Sequence, residues 1–132
     1  MAARTRHDKP VDEWLRQADR DFRAAEHLLG GGFFAHASVF VHLAVEKALK
    51  GLYRTRVEEN PPVTHDLEYL VDRMRLTPPR DLREALDALS DVSILTLYPD
   101  RLFQPDATCD EPSARQRLAD GRALLDWIDR QV

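Results

Sequence analysis

The sequence has a single cysteine, Cys109, among its 132 residues. One cysteine cannot form an intrachain disulfide or a paired-cysteine metal site, and a lone thiol is typical of the reducing cytoplasm, where we expect this protein. No apolar run approaches the roughly 18 residues that a membrane-spanning helix needs. Residues 1–9 are charged and precede no hydrophobic stretch, so we predict no signal peptide and a flexible tail over residues 1–10.

Several sequence motifs of catalytic and ligand-binding sites are also missing. The sequence contains no HExxH zinc motif, no phosphate-binding glycine loop and no GxSxG nucleophile motif. The five histidines all lie in the first half of the chain, and His36 and His42 are not at a ligand spacing. We therefore predict no metal site and no cofactor. The formal net charge of −4 argues against a protein that binds nucleic acid over its whole surface, so such binding would need a local basic patch.

Apolar residues recur at helical spacing in five segments: 11–29, 33–57, 66–73, 80–97 and 112–130. No segment alternates with the two-residue period of a strand. With short connections, successive helices pack antiparallel. The pattern predicts an all-α protein, an antiparallel up-and-down bundle of four to five helices that forms one domain over residues 11–132.

The second predicted helix is apolar around most of its circumference, which is typical of a central helix. It follows Gly30-Gly31-Gly32, where glycine allows the first helix to end, and Asn60-Pro61-Pro62 prevents its continuation. Thr64 is the predicted N-cap of the third helix.

The most informative polar residues lie on this second helix at a spacing of four: His42, Glu46, Lys50 and Arg54, with Lys47 beside them. Such residues form one row among apolar neighbours. Glu46 and Lys50 stand in the favourable order for an ordinary helical ion pair, and the pattern favours that structural interpretation. The alternative is a binding groove in which Lys47, Lys50 and Arg54 contact phosphate while Tyr53 or Tyr98 stacks on a base.

Three other positions each allow a structural and a functional interpretation. His65, next to a proline-rich turn, is predicted either to take part in capping or to contact a phosphate. Tyr98, before Pro99, is typical of a packed aromatic residue at a helix end. Arg20 and His27 have the residue types for metal-free RNA cleavage, but both point away from the apolar stripe of the first helix, so a solvated basic face is favoured.

Four stretches in this order resemble the HEPN family, the higher eukaryotes and prokaryotes nucleotide-binding domain. They are Ala18-Asp19-Arg20-Asp21-Phe22-Arg23-Ala24-Ala25, Ala44-Val45-Glu46-Lys47-Ala48-Leu49-Lys50, Thr64-His65-Asp66-Leu67 and Leu97-Tyr98-Pro99-Asp100. The resemblance implies a helical bundle, a homodimer, association with a nucleotide or RNA, and a small nucleotidyltransferase partner in a toxin–antitoxin type of pair. It also implies that Glu46, Lys47, Lys50, His65 and Tyr98 are family-motif residues.

The HEPN ribonucleases carry an Arg-x4-6-His motif late in the chain, and this sequence has no histidine after His65. We therefore predict a binding module without catalysis. Two alternatives stay open: a toxin-like, metal-independent ribonuclease that uses Arg20 and His27, and a structural or antitoxin partner that binds no ligand.

Overall fold

The computed structural model describes residues 10–92 and 109–132. They form five helices: α1 (Val11–Gly30), α2 (Phe34–Val57), α3 (Leu67–Arg73), α4 (Arg80–Ser90) and α5 (Glu111–Gln131). No strand occurs in these two ranges. The fold is therefore the predicted all-α bundle. Residues 1–9 of the predicted tail and the predicted site residue Tyr98 lie outside the described residues.

Helix α2 is the central helix, as its apolar circumference predicts. It packs against α1 along one side and against α5 along another, and it also contacts α3 and α4. Its buried residues include Leu49 and Leu52, which are fully inaccessible to solvent. Burial of such a side chain stabilises the fold by about 1.5–3 kcal/mol. The stripe of α1 faces this helix, with Trp14, Ala18, Phe22 and Ala25 buried.

The contact between α2 and α5 is close enough to require glycine at one position. A Cβ atom on Gly121 would lie 2.4 Å from Cγ1 of Val41 and 3.3 Å from Cε2 of Phe22. Real Cβ atoms do not approach carbon this closely, so Val41 or the helix itself would have to shift to admit a side chain at this crossing.

The N-cap of α3 differs from the expectation, whereas α2 ends at the predicted residue. Helix α3 begins at Leu67 and is capped by Asp66, whose carboxylate accepts a hydrogen bond from the Tyr69 amide at 3.0 Å. The prediction of Thr64 as N-cap was wrong, because the Thr64 hydroxyl instead accepts from the amide of Asp66. Helix α2 ends at Val57 before the prolines are reached, since Glu58 takes a left-handed conformation with φ 60°.

Helix α4 is shorter than the predicted segment 80–97. It ends at Ser90, and the Val92 amide then donates to the carbonyl of Leu89, which closes a turn where a longer helix was expected. Residues 93–97 of the predicted helix lie outside the described part of the chain. The Leu89 carbonyl at this helix end faces α2 and takes part in the candidate site.

Candidate functional site

A row of buried polar residues runs along α2. In the described part of the chain, the buried polar and charged residues are Ser38, His42, Glu46 and Lys50. All four belong to one helix and are spaced by four, so they lie on one side of it. Such a row within a core is costly unless its members bind one another, and this requirement defines the candidate site.

Glu46 is the centre of the row. Only 4% of this residue is exposed. Its Oε2 accepts a hydrogen bond from the ammonium group of Lys50 at 3.2 Å, and its Oε1 accepts one from Nδ1 of His65 at 2.8 Å. The Nε2 atom of His42 lies 3.5 Å from the same Oε1. One carboxylate therefore binds three side chains, two from its own helix and one from the segment before α3.

Burial alone would raise the pKa of Glu46, because desolvation disfavours the charged carboxylate. The hydrogen bonds from His42 and His65 and the positive charge of Lys50 outweigh this effect. They lower the pKa of Glu46 from its ordinary value of 4.5 to about 2. Glu46 is consequently an anion at any physiological pH and acts as an acceptor, never as a proton donor.

His42 connects this carboxylate to α4. Its Nδ1 lies 2.8 Å from the carbonyl oxygen of Leu89. A carbonyl oxygen can only accept, so Nδ1 donates to it. The Glu46 carboxylate also only accepts, so a ring that bonds both groups carries a proton on each nitrogen. The bond gives a second partner to a carbonyl in the last turn of α4, which also accepts from the Val92 amide. His42 therefore joins the centre of α2 to the end of α4.

Lys50 is enclosed as well. It is 8% exposed, and its ammonium group lies 5.9 Å from the centroid of the Trp14 ring on α1. This places a cation near an aromatic face and opposite a buried anion. The ion pair expected from the Glu46–Lys50 spacing is present, and both of its members are buried in the core.

His65 is the exposed member of the network. Its side chain is 79% exposed, yet Nδ1 is fixed against the buried Glu46. Because a carboxylate only accepts, Nδ1 donates, and Nε2 is directed away from this bond. The ring binds a carboxylate on another helix, so the expectation that His65 takes part in capping was wrong. The arrangement presents an oriented imidazole that can accept a hydrogen bond or, when protonated, donate one to an anion.

The other predicted residues of α2 lie next to this network. Lys47 forms an ion pair with Asp21 of α1 at 2.8 Å, and both side chains are partly exposed. Arg54 is half-buried one turn after Lys50. Tyr53 is 2% exposed, and its hydroxyl contacts Arg73 at 3.5 Å. The expectation that the Tyr53 ring stacks on a base was therefore wrong, because its faces are packed in the core.

Arg20 and His27 lie on the exposed face of α1. The surface depressions that contain them are lined by α1 residues alone, which include Arg16, Arg23 and Gly30. The two residues share a basic helix face, as predicted. Within the described residues, neither of them lines a cleft between two helices.

Two residues of this region could not be identified from the sequence pattern. Tyr69 and Arg73 lie on α3, one turn apart, and both are exposed. The Glu46–His65 contact joins positions 19 residues apart, and no periodicity predicts such a pair. Only the order of the Glu-Lys-Ala-Leu-Lys and Thr-His-Asp-Leu stretches indicated that both belong to one site.

Two further properties bear on the site. No helix in the described ranges is long and apolar enough to span a membrane. The same residues contain no group of three or more histidine, cysteine, aspartate or glutamate side chains arranged to hold a metal ion.

Comparison with known proteins agrees with this architecture. A family model described as the HEPN domain matches residues 11–131. The protein TT1696 from Thermus thermophilus is 27% identical with a TM-score of 0.82, over 92% of this chain and 98% of that chain. ST0689, an archaeal HEPN homologue, is 28% identical with a TM-score of 0.76, over 93% and 98%. A comparison with curated proteins gave no match. The chain belongs to the HEPN domain family.

Proposed function

We propose that this protein is a HEPN-type binding module for a nucleotide or RNA, without catalysis of its own, which acts with a small nucleotidyltransferase in a toxin–antitoxin type of pair. The observation that carries the proposal is the contact between His65 and Glu46. A buried carboxylate with three partners holds one exposed imidazole in a fixed orientation.

The charged groups of the network lie at different depths. Lys50 is buried against Glu46 and Trp14, so in this proposal it supports the site from within. His65 is the group that meets solvent, and its Nε2 provides the hydrogen bond to a phosphate or to a base edge. Arg54 and Lys47, at the margin of the same helix, add positive potential nearby.

The proposal is tested by calorimetric titration of the protein with ATP, other nucleotides and a short single-stranded RNA. We expect saturable binding that His65→Ala weakens by about tenfold, the effect of losing one charge-assisted hydrogen bond. His36→Ala is the matched control, because His36 is also an exposed histidine and its ring meets the edge of the Phe33 ring. Absence of binding by the unmodified protein would overturn the proposal and favour a ligand-free structural or antitoxin partner.

The assembly is part of the same proposal. We propose a homodimer, for which sedimentation velocity would give twice the chain mass of 15.2 kDa. Addition of the purified nucleotidyltransferase partner should produce a faster-sedimenting species. Incubation with labelled RNA distinguishes the ribonuclease alternative from the binding module. Metal-independent cleavage that His27→Ala abolishes would show that the protein is a ribonuclease.

A further inference from the structure

An exposed aromatic ring lies close to His65 in the chain. Tyr69 follows it by four residues, on α3, and is 43% exposed. The buried side of α3 is formed by Leu67, Leu70 and Val71, which hold the helix against the core. Tyr69 therefore lies on the outer side of a packed helix, with part of its ring in solvent. A rigid ring of this kind is the standard platform on which a nucleic-acid base stacks.

A cation accompanies the ring. The guanidinium carbon of Arg73 lies 6.0 Å from the centroid of the Tyr69 ring, and the two residues are one helical turn apart. The hydroxyl of the buried Tyr53 contacts the same guanidinium at 3.5 Å. Arg73 is thus positioned both by a core residue and by the exposed ring, and its remaining donors are available to a phosphate.

Two acidic side chains of this region are already engaged. Asp66 accepts the Tyr69 amide in the N-cap of α3, and Asp72 pairs with Arg83 of α4 at 3.6 Å. Glu59 also attracts Arg73, and a bound phosphate would compete with it. The surface around α3 therefore combines an oriented imidazole, an aromatic ring and a guanidinium.

We infer that His65, Tyr69 and Arg73 form the binding surface for a nucleotide unit whose base is unstacked, with the base on Tyr69, the phosphate at Arg73 and a further hydrogen bond from His65. This inference rests on the proposed function and names its site, which is the outer side of α3 and not the groove of α2. The unit is supplied either by a free nucleotide or by single-stranded RNA. A duplex does not fit, because its bases are covered by stacking and pairing.

The test uses a short single-stranded RNA that carries 2-aminopurine, whose emission is quenched when the base stacks. We expect saturable quenching with the unmodified protein and with Tyr69→Phe, which keeps the ring. Tyr69→Ala should remove the quenching and weaken binding by about 5- to 150-fold, the range for loss of one stacked base. Arg73→Ala should lower the dependence of log binding constant on log salt by about 0.7.

Phe33→Ala is the control, since Phe33 is another exposed aromatic residue (54%) that lies beside a histidine, at the turn between α1 and α2. AMP and an RNA duplex of the same sequence distinguish the sources. If AMP displaces the single strand at a concentration similar to that of the strand itself, the site binds a mononucleotide. If the single strand binds but neither AMP nor the duplex does, the site binds single-stranded RNA.

The experiment distinguishes failure of this inference from failure of the proposed function. Binding that His65→Ala weakens but Tyr69→Ala and Arg73→Ala leave unchanged would overturn the inference and keep the proposed function. Absence of any binding by the unmodified protein would overturn both.

Discussion

Glu46 shows how a single buried charge organises this protein. Isolated in the core, a carboxylate would be neutralised by desolvation, yet here its pKa falls to about 2 because His42, His65 and Lys50 bind it. The difference from the ordinary value of 4.5 corresponds to about 3 kcal/mol of stability at neutral pH. The residue is therefore both a structural centre and the support of the exposed imidazole.

The stability that ionised Glu46 contributes should depend on pH. The pKa of Glu46 is lower in the folded than in the unfolded chain, so the unfolded chain takes up the proton first as pH falls. The stabilisation is complete above about pH 5 and is lost progressively towards pH 2. Urea unfolding at a series of pH values should show Glu46→Gln less stable than the unmodified protein by about 3 kcal/mol at pH 7, with the difference shrinking below pH 5.

Glu84→Gln is the control for this measurement. Glu84 pairs with Arg80 at 3.6 Å on the same kind of helical spacing, but both side chains are largely exposed. Its loss should change the free energy of unfolding by less than about 1 kcal/mol. A Glu46→Gln effect as small as that of Glu84→Gln would contradict the assignment of Glu46 as the centre of a coupled network.

The connection between α2 and α4 depends on one imidazole. His42 donates from Nδ1 to Leu89 at the end of α4 and turns Nε2 to Glu46. His42→Ala should destabilise the fold by about 2 kcal/mol, because a buried carbonyl and a buried carboxylate each lose a partner. His42→Asn, whose amide nitrogen stands in for Nδ1, should recover part of this loss. Thermal unfolding followed by circular dichroism measures both, and equal losses in the two variants would argue against the Leu89 bond.

The crossing of α2 and α5 provides a test of packing. Alanine normally favours a helix over glycine by about 1 kcal/mol. At Gly121 the sign should reverse, because the new methyl group overlaps Val41, and we expect a net destabilisation of about 1–3 kcal/mol. Denaturant unfolding of Gly121→Ala checks this, and Val41→Ala in the same chain should reduce the additional cost. Gly30→Ala, which meets no atom within 4 Å, should be close to neutral.

The elements themselves were largely predictable from periodicity. The stripe with Trp14, Ala18 and Phe22 and the apolar circumference of α2 both correspond to buried surfaces. The errors lie at helix ends, where a single hydrogen bond decides the outcome. Asp66, and not Thr64, caps α3. The turn closed on the Leu89 carbonyl ends α4, although the apolar residues that follow it in the sequence suggested a longer helix.

At the scale of the whole molecule, the site was predictable only in part. Glu46 and Lys50 follow from helical spacing, since both lie on α2. The partnership of Glu46 with His65 depends on how the α2–α3 connection folds back, and that is a tertiary contact. The exposure of Tyr69 and the burial of Tyr53 likewise depend on which side of each helix meets the core, and the short α3 has too few residues to fix its orientation from pattern alone.

The whole bundle thus brings a buried anion on α2 to an exposed imidazole before α3. The most direct test of this account is a nuclear magnetic resonance titration of the histidine side chains with single-stranded RNA and with AMP. The account predicts that the Nε2 resonance of His65 shifts saturably while that of His36 stays unchanged, and that Glu46→Gln removes the shift in a protein that remains folded. A ligand that binds the protein without moving the His65 resonance, or that moves both histidines equally, would contradict it.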